Sequence, residues 1–177
     1  MPLPTDYHTS IRDAIRTVVA SALATDYAAL SANVVSIEDP ETDLKALVNL
    51  PAVVCVCVGP EQERPEFGTN ARTGKGFPVA VMLMTSGVTG GEKSSGVPSM
   101  TLFRRIIDTT FDKKRLSGVG EVSVCEVSDS GPIFDKDLPA FQKLQTAMVV
   151  NAVGRFRDPN QRVKQWQNKL AHSIRFG

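Results

Sequence analysis

With 177 residues, 42% of them hydrophobic and 22% charged, the chain has the size and composition of one globular domain that buries a core unaided, not those of a disordered or fibrous chain. The formal net charge of +1 gives no overall pull toward nucleic acid. No apolar run approaches the ~20 residues that span a bilayer, and the N-terminus lacks the basic and apolar regions of a secretory signal, so neither membrane insertion nor export by the usual route is expected.

In chain order, Ser10 followed by Asp13 is a capping pattern, and Ile11, Ala14, Ile15, Val18, Val19, Ala22 and Leu23 recur at three-and-four spacing. This predicts a helix over about residues 10–30, with one apolar stripe laid on a sheet. Residues 34–37 read as a short strand. The acidic run Glu38, Asp39, Glu41 and Asp43 around Pro40 reads as a solvated loop, with ion binding or docking of a basic arm as its functional alternatives.

AVVCVCV (52–58) and PVAVMLM (78–84) are apolar at every position and bounded by Pro and Gly, the pattern of short strands buried on both faces. Cys55 and Cys57 lie two apart in the first run and share a strand face. With Cys125 they form no CxxC pair, and all three are expected as buried reduced thiols. Between the runs, residues 59–77 form a loop far longer than a hairpin turn needs. Its Glu61, Arg64, Phe67, Arg72 and Lys75 are candidate contacts with another subunit or partner. A second loop over 85–98 adds Lys93.

Ser99 suits the cap of a helix over about 100–114 with Leu102, Phe103, Ile106, Ile107 and Phe111 on one side, and Gly118 suits its stop. Residues 119–127 and 147–156 alternate as strands, with turn chemistry over 128–139. Asp158 and Pro159 then fit the start of a helical arm, with Val163, Trp166, Leu170 and Ile174 on one face. The expected fold is α+β: a mainly antiparallel sheet packed by an N-terminal helix and a central amphipathic helix, with long loops and a C-terminal helical arm. Residues 1–157 make the domain and 158–177 the basic amphipathic arm.

No pattern for catalysis stands out. His8 and His172 are the only histidines, and no serine sits in a G-x-S-x-G elbow. There is no HExxH, no paired CxxC and no EF-hand order, so no catalytic residue, metal ligand or cofactor is expected. GTNARTGKG (68–76) resembles a phosphate loop but has five residues before the Gly-Lys pair, with Gly76 where a hydroxyl is required. GGEKS (90–94) also fails, and both read as flexible loops.

From residue 151 onward Arg155, Arg157, Arg162, Lys164, Lys169 and Arg175 face Asp158 alone, so a basic arm is attached to a mildly acidic body. Three readings of the arm stand: phosphate contacts through its basic residues, docking of Val163, Trp166, Leu170 and Ile174 into another subunit, or packing on its own domain. Docking is preferred because Trp166 is the only Phe, Trp or Tyr between Asp158 and Arg175, too few for a stacking platform, whereas Trp is favoured at interface centres.

SIRDAIRTVVASALATDYAAL, PAVVCVCV, a long loop, FPVAVMLM, LFRRIIDTTFDKK, VGEVSVCEV and a last strand ending AVGRFR succeed one another in an order that resembles the tail-terminator proteins of long-tailed bacteriophages. The related tail-completion and head-to-tail connector families share much of it. The resemblance covers about residues 10–157 and rests on element order. It implies a structural virion protein located in the tail or neck and assembled in the host cytoplasm. It implies a homo-oligomeric ring, a hexamer, that ends the tail tube, with the tail tube protein and the head connector or stopper protein as partners. Contact with genomic DNA in the lumen stays open. The family carries no catalytic residues or cofactor to transfer. Another neck component, such as a head-closure or connector adaptor protein, and a nucleic-acid-binding module are the alternatives.

Overall fold

Residues apolar at every position leave a strand no wet side, so the run from Ala52 and the run through Pro78–Met84 must lie inside a sheet covered on both faces. The computed structural model, which describes residues 6–69, 72–86, 96–129, 138–139 and 141–157, has them as adjacent antiparallel strands. The elements run α1 (Tyr7–Leu23), α2 (Ala28–Ser31), β1 (Val34–Ile37), α3 (Pro40–Ala46), β2 (Ala52–Cys57), β3 (Gln62–Glu63), a 3-10 turn (Pro65–Phe67), β4 (Thr73–Ser86), α4 (Met100–Phe111), β5 (Val122–Asp129) and β6 (Gln142–Phe156).

The sheet order is β1-β2-β4-β6-β5, with β3 beside the start of β4. β1 runs parallel to β2, joined through α3, and the other pairs are antiparallel. The chain is therefore α+β with a mainly antiparallel sheet, packed by an N-terminal and a central helix. Helices α1 and α4 cover one face. There Ile11, Ile15, Val19 and Leu23 of α1 and Phe103, Ile107 and Phe111 of α4 meet Val53, Cys55, Val79, Val81 and Val150. On the opposite face Leu44 of α3 packs on Ile37, Val54, Val56, Ala80 and Met82. Burying each such side chain contributes about 1.5–3 kcal/mol, and α3 covers only part of this second face.

Several expectations from the sequence change. The helix expected over 10–30 is two helices, and Asp6 caps the first rather than Ser10: the Thr9 amide donates to Asp6 Oδ1 at 3.1 Å. At ~1.5 Å per residue, the 17 residues of α1 already reach past the length of the 6-residue strand β2 on which it lies. The chain then turns, and Ser31 Oγ donates to the Ala20 carbonyl at 2.7 Å, while Leu30 becomes fully buried. The acidic run is not a loop but opens α3. Proline suits a first helical position, and the Asp43 carboxylate accepts the backbone N–H groups of Glu38 and Asp39, each at 3.0 Å.

Ser99 caps α4 as expected, its hydroxyl accepting the Leu102 amide at 3.3 Å. The helix stops at Phe111, short of 114, because the next residues join the sheet edge: the Lys113 amide donates to the Cys125 carbonyl at 2.9 Å and the Cys125 amide to that of Lys114 at 2.7 Å. Lys113 makes that turn at φ 56°, and Gly118 lies beyond, before β5. Leu102, expected on the apolar side, is 41% exposed. β4 and β6 are 14 and 15 residues long and pair along their whole length, well past the apolar runs that announced them.

Candidate functional site

The 59–77 segment, expected to stand away from the core as a loop, is instead folded onto the sheet. After β2 the chain turns at Gly59 (φ 86°) and pairs again with β4, Gln62 opposite Gly76 and Glu63 opposite Lys75. The Arg64 amide donates to the Gly74 carbonyl at 2.9 Å, the 3-10 turn comes next, and Thr69 and Arg72 form a backbone bridge just before β4 begins. Thr73–Phe77, the end of this segment, belongs to β4 and pairs with β6 from Thr73↔Phe156 to Phe77↔Ala152.

Glycine makes this fold-over possible. A Cβ on Gly74 would overlap the Arg64 carbonyl oxygen and come within 2.7 Å of the Gly68 nitrogen, so the chain crosses directly above Gly74 only because no side chain is there. By strand alternation Gly74 and Gly76 share the second face with Ala80 and Met82. The crossing segment thus covers a part of that face that α3 leaves open, around Gly74, Asn151 and Arg155.

Polar side chains fasten the segment. Arg64 forms ion pairs with Glu66 (3.3 Å) and with Glu126 of β5, and Lys75 pairs with Glu61. Asn151 Nδ2 donates to Gln62 Oε1 at 3.0 Å, and Arg155 Nε to the Phe67 carbonyl at 3.0 Å. Arg64 Nε and Asn151 Oδ1 are buried without a hydrogen-bond partner among the described residues. The carboxylates of Glu61, Glu66 and Glu126 remain about half exposed, so these are surface ion pairs of small individual worth.

Of the candidate contact residues, the fold brings Glu61, Arg64, Phe67, Arg72 and Lys75 together at one end of the sheet. Arg64 and Lys75 are engaged within the chain, Phe67 is half-buried, and Arg72 is exposed. Lys93, Arg162, Val163, Trp166, Leu170 and Ile174, with the arm to which the last five belong, lie outside the described residues. The partners Gln62, Glu126, Asn151 and Arg155 are not among the residues that sequence reasoning singles out as contacts of this segment. One trace of them is visible: Asn151 and Arg155 interrupt the apolar run over 147–156 at every-other spacing shared with Val149 and Val153, the mark of a polar lid over one sheet face. The described residues of the phosphate-loop-like stretch lie at the bridge between Thr69 and Arg72 and in the start of β4, and its lysine is occupied by Glu61.

Thiol chemistry is muted. Burial pushes the Cys55 and Cys125 thiols up to about 12 and raises that of Cys57, and all three are free of disulfides. The thiolate is the reactive form, so these positions hold neutral thiols. Cys57 Sγ donates to the His8 carbonyl at 3.7 Å, and the His8 ring stands edge-on to Phe77, centroids 4.8 Å apart. Among the described residues no group of three or more His, Cys, Asp or Glu converges as a metal site. No helix there is long and apolar enough to cross a membrane. No protein-family model matches the chain, and no curated protein matches it significantly.

Proposed function

We propose that this chain is a structural virion subunit: one copy of a ring that terminates the tail tube of a long-tailed bacteriophage and joins it to the head connector. The observation that supports this reading is the layout of the domain. An N-terminal helix and a central amphipathic helix lie on one face of an open mixed sheet, and the elements keep the order of the tail-terminator resemblance. On this reading the chain performs no catalysis. It works through surfaces offered to copies of itself, to the tail tube protein and to the connector. The charged end built around Glu61, Arg64, Arg72 and Lys75 is then a shaped surface rather than a loose tether.

The test is sizing of the purified full chain by multi-angle light scattering, with imaging after mixing with tubes assembled from the cognate tube protein. A mass near six copies and rings seated on tube ends, with growth halted, are the expected results. Tubes that stay uncapped and keep growing would sink the reading. A labelled chain found on the connector but not on the tube end would favour a different neck component.

A further inference from the structure

The ring reading does not say which surfaces of neighbouring subunits meet, and the two ends of the sheet differ in charge. β1 is the outermost strand on one side. It runs straight into Glu38, Asp39, Glu41 and Asp43, against which only Lys45 is basic before residue 48. The Glu38 side chain is 79% exposed, its contact with Arg12 a long 3.7 Å. Val48, also 79% exposed, sits in a turn that Asn33 ties to the start of β1 through bonds to the carbonyls of Asn49 (2.8 Å) and Pro51 (2.7 Å).

β5 is the outermost strand on the other side. The stretch after α4 lies along its outer edge, bonded to Cys125 as described, and presents exposed Lys113, Lys114 and Arg115, with Arg105 exposed on α4. From 104 to 115 the sequence holds five basic residues against Asp108 and Asp112. Of these, Arg104 is taken up by Asp129 of β5 at 3.5 Å, while Glu126 of β5 is held by Arg64, so the basic excess rests on Arg105, Lys113, Lys114 and Arg115. Lys114 and Arg115 donate to carbonyls of Thr109, Gly120 and Val122. Arg105 and Lys113 have no ion-pair partner among the described residues.

We propose that copies of this chain meet head to tail, the acidic β1 end of one against the basic β5 edge of the next. This rests on the ring reading and names its interface. A two-fold contact at either end would set like charges face to face. A heterologous contact pairs opposite charges and leaves the joined pair one free end of each sign, so further copies add in the same way and a ring forms where the rotation closes. The edge of β5 is already occupied by the 113–114 backbone, so charge rather than strand pairing carries the contact there.

The experiment uses the full chain with Glu38→Lys as one variant and the double variant Arg105→Glu, Lys113→Glu as the other. All these side chains are exposed, and far-ultraviolet circular dichroism checks folding. Each variant alone is expected to associate at least ~10-fold more weakly than the parent, since like charges then oppose each other. An equimolar mixture is expected to regain assembly, because the lysine introduced at position 38 of one variant then faces the carboxylates introduced at 105 and 113 of the other, and its rings hold even numbers of copies. Folded variants that assemble like the parent would overturn this interface and leave the ring reading standing, as would a mixture that stays dissociated. A parent chain that remains monomeric at all concentrations and on tubes overturns both. Basic-edge replacement that abolishes DNA binding without changing assembly would instead make that edge a nucleic-acid surface.

Discussion

The Arg64 carbonyl passes directly above Gly74, so close that a β-carbon at Gly74 would overlap its oxygen. This crossing turns the segment after β2 from a projection into a cover for the second face of the sheet. A Gly74→Ala chain must move backbone, not a side-chain tip. We expect a loss of about 1–3 kcal/mol, read as a lower urea midpoint, with faster amide exchange confined to residues 60–68. An alanine variant as stable and as protected as the parent would show that the crossing is not a tight seat.

Arg64 and Glu126 join the cover to β5. Both are partly exposed, so a double-mutant cycle with Arg64→Met and Glu126→Gln should return a coupling of only about 0.2–1 kcal/mol. It should shrink in ~1 M salt. A coupling of several kcal/mol that salt leaves untouched would mean that the pair is effectively buried.

Asp6, not Ser10, is the cap of α1. Asp6→Ala is expected to cost about 1 kcal/mol, and Ser10→Ala, whose hydroxyl only returns to the Asp6 carbonyl at 2.9 Å, clearly less. Hydrogen bonds from the Thr9 hydroxyl and amide hold the Asp6 carboxyl below its ordinary 3.8. Its contribution is therefore present above pH 3.8 and lost as pH falls through the lowered folded value. Equal melting losses for the two variants at neutral pH would contradict this assignment.

Cys55 and Cys125 tie stability to alkaline pH. Their thiols ionise near the ordinary 9.0 when unfolded and at about 12 when folded, so between these values the folded chain holds more protons. Stability is unaffected below about pH 9 and falls as pH rises toward about 12, by up to ~1.4 kcal/mol per unit for each thiol. A Cys125→Ala variant should lose stability less steeply over that window. An unchanged slope in denaturant titrations from about pH 8 to about pH 11 would rule the thiol out as its source.

The apolar runs of β2 and β4, the Ser99 cap, the Phe103, Ile107 and Phe111 stripe and the α+β class are all legible in the sequence. Each depends on spacing within a few residues, where burial leaves a periodic trace. The acidic run reads equally well as a solvated loop or as the first turn of a helix, because both use the same residues, and only the burial of Leu44 beneath it decides between them. The candidate contacts of the 59–77 segment do gather as a group, but not in the expected posture. Whether Arg64 reaches outward or down depends on Glu126, 62 positions away, and on a glycine that lets two backbones cross. Likewise β1 and β5 become the free ends of the sheet only when β4 and β6 pair between them. Strand order and long-range ion pairs depend on distances between segments, which a linear pattern of residue types does not contain.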